Sequence, residues 1–189
     1  MKKSLIRFCI SLLAAVFLVT AVGAAEFHAD MVIRSAAGGE MHGRVFVKGN
    51  SLRQELETPV GTQVSIVKDG GRVMYVLIPG QKMYMEFPNN QVSLSEGESI
   101  ESKYGDEAKL EKTGTENLQG YECDIYSVEY EDPGFGKSTV WIARKLNYPL
   151  KIHSESAQDT ATITYSNVKE QKVPDSFFEL PGGYARFSM

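Results

Sequence analysis

Residues 133–140 read PGFGKSTV, and whether the Gly-Lys-Ser-Thr run opens a helix or enters a strand decides the fold. A phosphate-binding loop needs a glycine five places before the Gly-Lys pair, a preceding strand, and a helix whose first amides and dipole hold the anion. The position for that glycine holds Glu131, which would set negative charge against a phosphate. The residues that follow, Ser138-Thr139-Val140-Trp141-Ile142, alternate in strand fashion and are mostly β-branched or aromatic. The nucleotide-binding reading fails on both requirements. What is left is a Pro-Gly turn joining two strands.

The same pattern extends outward in both directions. Apolar residues recur with period two, and turn residues punctuate the chain every 8 to 12 positions, as in a meandering antiparallel sheet. Strands are expected at about 27–34, 41–48, 51–58, 62–69, 72–78, 81–87, 109–116, 121–130, 137–144, 149–156 and 160–169. A sheet of about 11 strands in one domain must curl or close. The expected class is therefore mainly β with minor α, a single antiparallel sheet.

Hairpin turns assign the faces. A two-residue turn at Gly49-Asn50 pairs Lys48 with Ser51, which puts Val47 and Leu52 on one face with Met41, Val45 and Leu56. The opposite face carries Arg44, Phe46, Lys48, Arg53 and Glu55 and is expected to be mostly wet. Around Pro79-Gly80 the same logic pairs Ile78 with Gln81, so Met74, Val76, Ile78, Met83, Met85 and Phe87 share a face. The apolar set Val45, Val47, Leu52, Leu56, Met74, Val76, Ile78, Met83 and Met85 is the candidate ligand-binding surface. Flexible, polarizable methionines suit varied apolar partners, although ordinary core filling gives the same pattern.

The ends of the chain bear on its compartment. Lys2, Lys3 and Arg7 precede an apolar run from Phe8 to Val22, and Val22-Gly23-Ala24-Ala25 offers small residues for cleavage. Residues 1–25 thus read as a secretory signal peptide cut after Ala24 or Ala25, with residues 26–189 as one domain. The apolar run is short for a membrane span, and Cys9 lacks the small residues of a lipoprotein cleavage box. A periplasmic protein without a lipid anchor, with peripheral or no membrane association, is the expectation. Loss of the signal removes three of the 20 basic residues and none of the 24 acidic ones, for a net charge near −7. Such a balance argues against nucleic acid as a partner. Only Cys123 then remains, either a reactive exported thiol or a small buried hydrophobe in its strand.

Catalytic constellations are missing from the pattern. There is no nucleophile elbow, no HExxH and no cysteine or histidine pair at metal spacing, so neither an enzyme nor a cofactor is expected. His28 and Asp30 fall on one side of a strand but lack a third ligand, and His42 and His153 sit among charged neighbours. The acidic stretch 88–108 breaks the strand pattern and is left open between a short helix, a flap and disorder.

Taken in order, FHADM (27–31), GRVFVKG (43–49), the strand holding Arg53, VKDGGRVMYVLIP (67–79), GYECDIYSV (120–128), WIA (141–143), YPLKI (148–152) and VPDSFFELPGGY (173–184) resemble the LolA/LolB-like superfamily of periplasmic lipoprotein carriers. The chain looks like an exported branch beside it. The resemblance covers the whole chain after the signal. It implies an unclosed half-barrel whose apolar concave face, covered by helices or loops, takes up acyl chains. A non-catalytic carrier of a lipid, a lipoprotein acyl chain or a similar hydrophobic ligand follows from that resemblance. The alternative is an envelope sensor module of the same fold that binds a protein partner.

Overall fold

The computed structural model describes residues 25–68, 72–88 and 108–187. Among these, eleven antiparallel strands follow one another: β1 (Glu26–Ser35), β2 (Gly39–Lys48), β3 (Ser51–Thr58), β4 (Gly61–Lys68), β5 (Val73–Ile78), β6 (Met83–Pro88), β7 (Ala108–Leu118), β8 (Tyr121–Tyr130), β9 (Lys137–Ala143), β10 (Tyr148–Glu155) and β11 (Thr160–Lys169). Each expected strand is present to within a few residues. A twelfth, β12 (Ala185–Arg186), was not anticipated; it pairs in parallel with β6 and makes the sheet mixed rather than purely antiparallel. The order across the sheet is β12-β6-β5-β4-β3-β2-β1-β11-β10-β9-β8-β7. The sheet does not close into a barrel. Helix is confined, among the described residues, to two short 3-10 turns, Pro79–Gln81 and Asp175–Phe178. The signal and 88–108 readings concern residues that, apart from Ala25, Pro88 and Ala108, lie outside those described.

The stretch PGFGKSTV is the β8–β9 connection. Phe135 N–H bonds Asp132 O at 3.0 Å, and Tyr130 N–H bonds Gly136 O at 3.3 Å. Gly136 has φ +68°, and a Cβ there would collide with the Glu155 carbonyl oxygen. Backbone crowding against the end of β10 thus accounts for the glycine before Lys137.

Cross-strand register makes one face continuous. Phe27 opposes Val47, Val47 opposes Leu52, Leu52 opposes Val67, Val67 opposes Met74, and Met74 opposes Phe87. On the other side of β1, Met31 opposes Tyr165 and Ile33 opposes Ile163, which continues to Ile152 and Val140. This inner face carries the main core, where Phe27, Tyr148, Tyr165, Leu52, Leu150 and Ile163 are almost wholly buried. Phe27 and Tyr148 meet edge to face with ring centroids 5.2 Å apart. Cys123 is buried in the same core, which favours the packing reading, and burial pushes its thiol pKa up.

Two sequence expectations need correction. Ile78 pairs with Met83, not Gln81, because the 3-10 turn and Lys82, with φ +49°, lengthen the connection to four residues. The shift is by two positions, so the methionines keep their face. The outer face of β2–β5 is not mostly wet. Phe46, Val64, Ile66 and Leu77 form a second buried cluster there, covered by Val173 and Phe178, with Tyr75, Tyr84, Phe177, Leu180 and Tyr184 around it.

Candidate functional site

The nine candidate residues lie on the inner face in register. Val76 opposes Met85, and Ile78 opposes Met83. Their exposure rises steeply along the sheet. Val45, Val47 and Leu52 are 0 to 1% exposed and belong to the floor of the core. Val76 is buried too, while Leu56, Met74, Met83 and Met85 are half-buried and Ile78 is 37% exposed. The β5–β6 end is therefore where an outside molecule can reach apolar surface without unpacking the interior.

Polar residues within that face were not among the sequence candidates. Gln54 lies between Leu52 and Leu56 by strand parity, so its inward position was readable from the face assignment. Gln54 and Ser65, which oppose each other, are 6% and 5% exposed. The Gln54 amide donates to the Tyr165 hydroxyl at 3.5 Å. Tyr165 meets Tyr148 edge to face, with centroids 5.3 Å apart. The Tyr148 hydroxyl is buried and finds no hydrogen-bond partner among the described residues. Burial raises the Tyr165 pKa to about 12 and pushes that of Tyr148 well above the usual phenol value. Tyr165 and Gln54 lie near enough to influence the Tyr148 titration without forming a hydrogen bond of ordinary geometry to it.

A surface recess of about 440 Å³ lies elsewhere, lined by Gln119, Gly120, Tyr121, Glu122, Arg144, Lys145 and Glu170. It contains none of the nine candidates. Its charges are mutually satisfied: Arg144 pairs with Glu122 and, at 2.7 Å, with Asp124, while Lys145 reaches Glu170 at 2.7 Å. The Arg144 guanidinium and the Lys112 ammonium hold the Asp124 carboxyl below its usual range. Burial, reinforced by the bond to Glu170, pushes Tyr121 up to about 12. Such groups are committed to one another and make poor general bases at neutral pH.

The histidines are paired as well. His28 stacks on Phe46 and accepts from Gln171 at 2.9 Å, while Asp30 accepts from Asn167, so the two do not converge on a metal. His42 and His153 lie 3.1 and 3.2 Å from Glu40 and Glu155. Among the described residues no group of three or more His, Cys, Asp or Glu side chains could hold a metal ion.

A single twelve-strand mixed sheet that is not closed into a barrel, with its main core on the inner face and a strap over the outer one, has the fold of a LolA-like half-barrel, as the sequence resemblance implied. Within that class the chain belongs to the family described as a domain of unknown function, DUF4412, which matches residues 28–147. No curated protein matches the sequence. Among solved structures, an uncharacterised conserved protein from Thermus thermophilus aligns with a TM-score of 0.59 at 11% identity, over 86% of this chain and 90% of that one. MucB in the Pseudomonas aeruginosa MucA/MucB complex aligns with a TM-score of 0.52 at 13% identity, over 82% of this chain and 55% of that one. A LolA superfamily protein from Nitrosomonas europaea aligns with a TM-score of 0.42 at 15% identity, over 90% and 96% of the two chains.

Proposed function

We propose that the protein is a non-catalytic, exported carrier that binds a lipid, a lipoprotein acyl chain or a similar hydrophobic ligand in the periplasm. The observation that carries this reading is the gradient along the inner face, from a filled core at β1–β3 to half-exposed Met74, Met83, Met85 and Ile78 at β5–β6. Contiguous apolar surface left accessible on a water-borne protein marks a place where something binds. Methionine adapts its shape to chains of varied length and branching. The signal-like first 25 residues supply the compartment, and the chain would act there after cleavage following Ala24 or Ala25.

The test is native mass spectrometry with lipid extraction on protein purified from the periplasm without detergent. A co-purifying mass in the phospholipid or fatty-acyl range is the expected result. A bare chain mass would sink the carrier reading.

The second reading is an envelope sensor module that binds a protein partner. It draws on β7, an eleven-residue strand paired, among the described residues, on one side only, with β8. MucB, of similar fold, is seen in complex with MucA, which gives this reading its support. Yet β7 carries Lys109 and Lys112 and a bulge at Thr113, devices that discourage strand addition. The carrier reading is therefore preferred.

A further inference from the structure

The strap over the outer face changes sides at its end. Phe177, Phe178 and Tyr184 belong to the outer cluster. Beyond Tyr184 the chain forms β12, whose Ala185 pairs with Met83 and Arg186 with Tyr84. Paired residues of neighbouring strands share a face, so Ala185 lies on the inner side with Met83, and Arg186 on the outer side with Tyr84. The Phe187 N–H still donates to the Tyr84 carbonyl at 2.7 Å. Parity therefore returns Phe187 to the inner side, beside Met85.

Phe187 is 46% exposed. The other large apolar side chains exposed among the described residues are Val60, Ile78 and Phe135. Val60 and Phe135 stand singly in the β3–β4 and β8–β9 connections. Ile78 and Phe187 instead flank β6 on either side, with half-buried Met83 and Met85 between them. Together these four make one accessible strip rather than scattered exposure.

The size and charge of the strip limit its occupant. It crosses three strands, or roughly 10 Å, and from Met83 to Phe87 it runs roughly 13 Å along β6. On the core side, Val76 and Ser65 are already buried. One extended alkyl chain fits, with methionine beneath it and Ile78 and Phe187 at its sides; a second chain would be left in water. At the Met83 end stands Lys82, exposed and, among the described residues, without an ion pair. Arg186, the next cation on this edge, reaches Glu86 only at 3.6 Å. Positive charge at one end of an apolar strip complements an anionic head and opposes a cationic one.

We propose that Ile78, Met83, Met85 and Phe187 hold a single alkyl chain and that Lys82 receives the anionic head of the same molecule. This rests on the carrier reading and names its ligand class: a single-chain amphiphile whose head is a carboxylate or a phosphate. It also makes β12 part of the binding surface, so the strap that seals the outer cluster reaches the guest through Phe187.

The experiment uses the full chain after signal removal and follows displacement of the neutral fluorophore phenylnaphthylamine. The competitors are dodecanoate, dodecyl phosphate, dodecanol and dodecyltrimethylammonium, each below its micelle concentration, and dioctanoylphosphatidic acid, which carries a phosphate head on two chains. Wild type should bind the better of the two dodecyl anions about fivefold more tightly than dodecanol, and the cation most weakly. Which anion leads identifies the head. Lys82→Gln should erase that preference while dodecanol binds as before. Phe187→Ala should weaken every dodecyl ligand about fivefold, with the melting temperature of the ligand-free protein unchanged. Anions and dodecanol bound alike by wild type, or a Lys82→Gln protein that keeps the preference, overturns the head assignment. Dodecyl ligands untouched by Phe187→Ala remove β12 from the site. Dioctanoylphosphatidic acid bound as tightly as dodecyl phosphate overturns the single-chain class. A wild type that takes up phenylnaphthylamine but yields it to no dodecyl ligand overturns the strip itself, whereas one that takes up neither fluorophore nor competitor overturns the carrier reading beneath it.

Discussion

Both faces of β2–β5 bury apolar residues, but they are closed by different means. On the inner face the apolar side chains of neighbouring strands bury one another: β1, β11 and β10 lie side by side, and Phe27, Tyr148 and Tyr165 pack together across them. The outer face is covered by a strap, residues 173–187, drawn from far along the chain. The strap is fastened by polar bonds. Val173 N–H donates to Glu26 at 2.7 Å, Lys48 reaches Asp175 at 2.6 Å, and Lys68 reaches Glu179 at 3.0 Å. Arg53 donates to Phe177 O at 3.1 Å and lies over the Phe177 ring. At the far end, Ala185 N–H donates to the Lys82 carbonyl and Phe187 N–H to that of Tyr84, so the strap also caps the β6 edge. The outer cluster is thus sealed by the chain itself, whereas the inner face keeps its β5–β6 end accessible.

Substitutions can break this contrast. Phe178→Ala removes the most buried aromatic anchor of the strap and should cost about 3–5 kcal/mol by chemical denaturation. A loss below about 1 kcal/mol would mean that the strap is not part of the core. Arg53→Ala, on a side chain only 16% exposed, takes a charged donor from the Phe177 carbonyl and a partner from Glu55. A cost of roughly 1.5–3 kcal/mol is expected, with binding of acyl probes intact, because Arg53 faces outward.

Met85→Glu is the complementary change. It should weaken an acyl probe at least tenfold, about 1.4 kcal/mol, while the denaturation midpoint stays near wild type, because Met85 is half-exposed. Val76, its cross-strand partner, is only 6% exposed, so a glutamate there would confound binding with unfolding. Unchanged probe affinity in a folded Met85→Glu protein would remove the β5–β6 end from the ligand surface.

The smallest effect is expected outside both clusters. Asp124 is held below its usual pKa by Arg144 and then Lys112. A depressed carboxylate contributes stability above its unfolded pKa, near 4, and loses it as pH falls through the still lower folded value. Wild type should exceed Asp124→Asn by about 1 kcal/mol or less near neutral pH. The gap should stay level down to about pH 5 and close below about pH 4; a gap that widens in acid would contradict the assigned direction.

Much of the inner face was legible in the primary structure because its cues are local. Period-two patterning fixed the strands, and the Gly49-Asn50 turn fixed the pairing of Lys48 with Ser51. Parity tolerates small errors, so the misjudged turn after Ile78 did not move the methionines. The PGFGKSTV stretch read correctly as a hairpin for the same reason: Glu131 and the strand-like residues after Lys137 are neighbours in sequence.

Tertiary structure decided the rest, because the deciding partners are distant in sequence. Phe46 looked like one aromatic on a charged face until Phe177, with its ring centroid 4.8 Å away, covered it. Gln54 could be placed inside by parity, but its partner Tyr165 is 111 residues on. Tyr148 packs against Phe27 and Tyr165, which stand 121 and 17 positions away in the chain on other strands. Exposure, which separates the filled floor at Val47 from the accessible surface at Met85, depends on that curl rather than on either strand alone. Local pattern determines which way a side chain points; what it meets there depends on how the whole sheet bends and what the chain later lays across it.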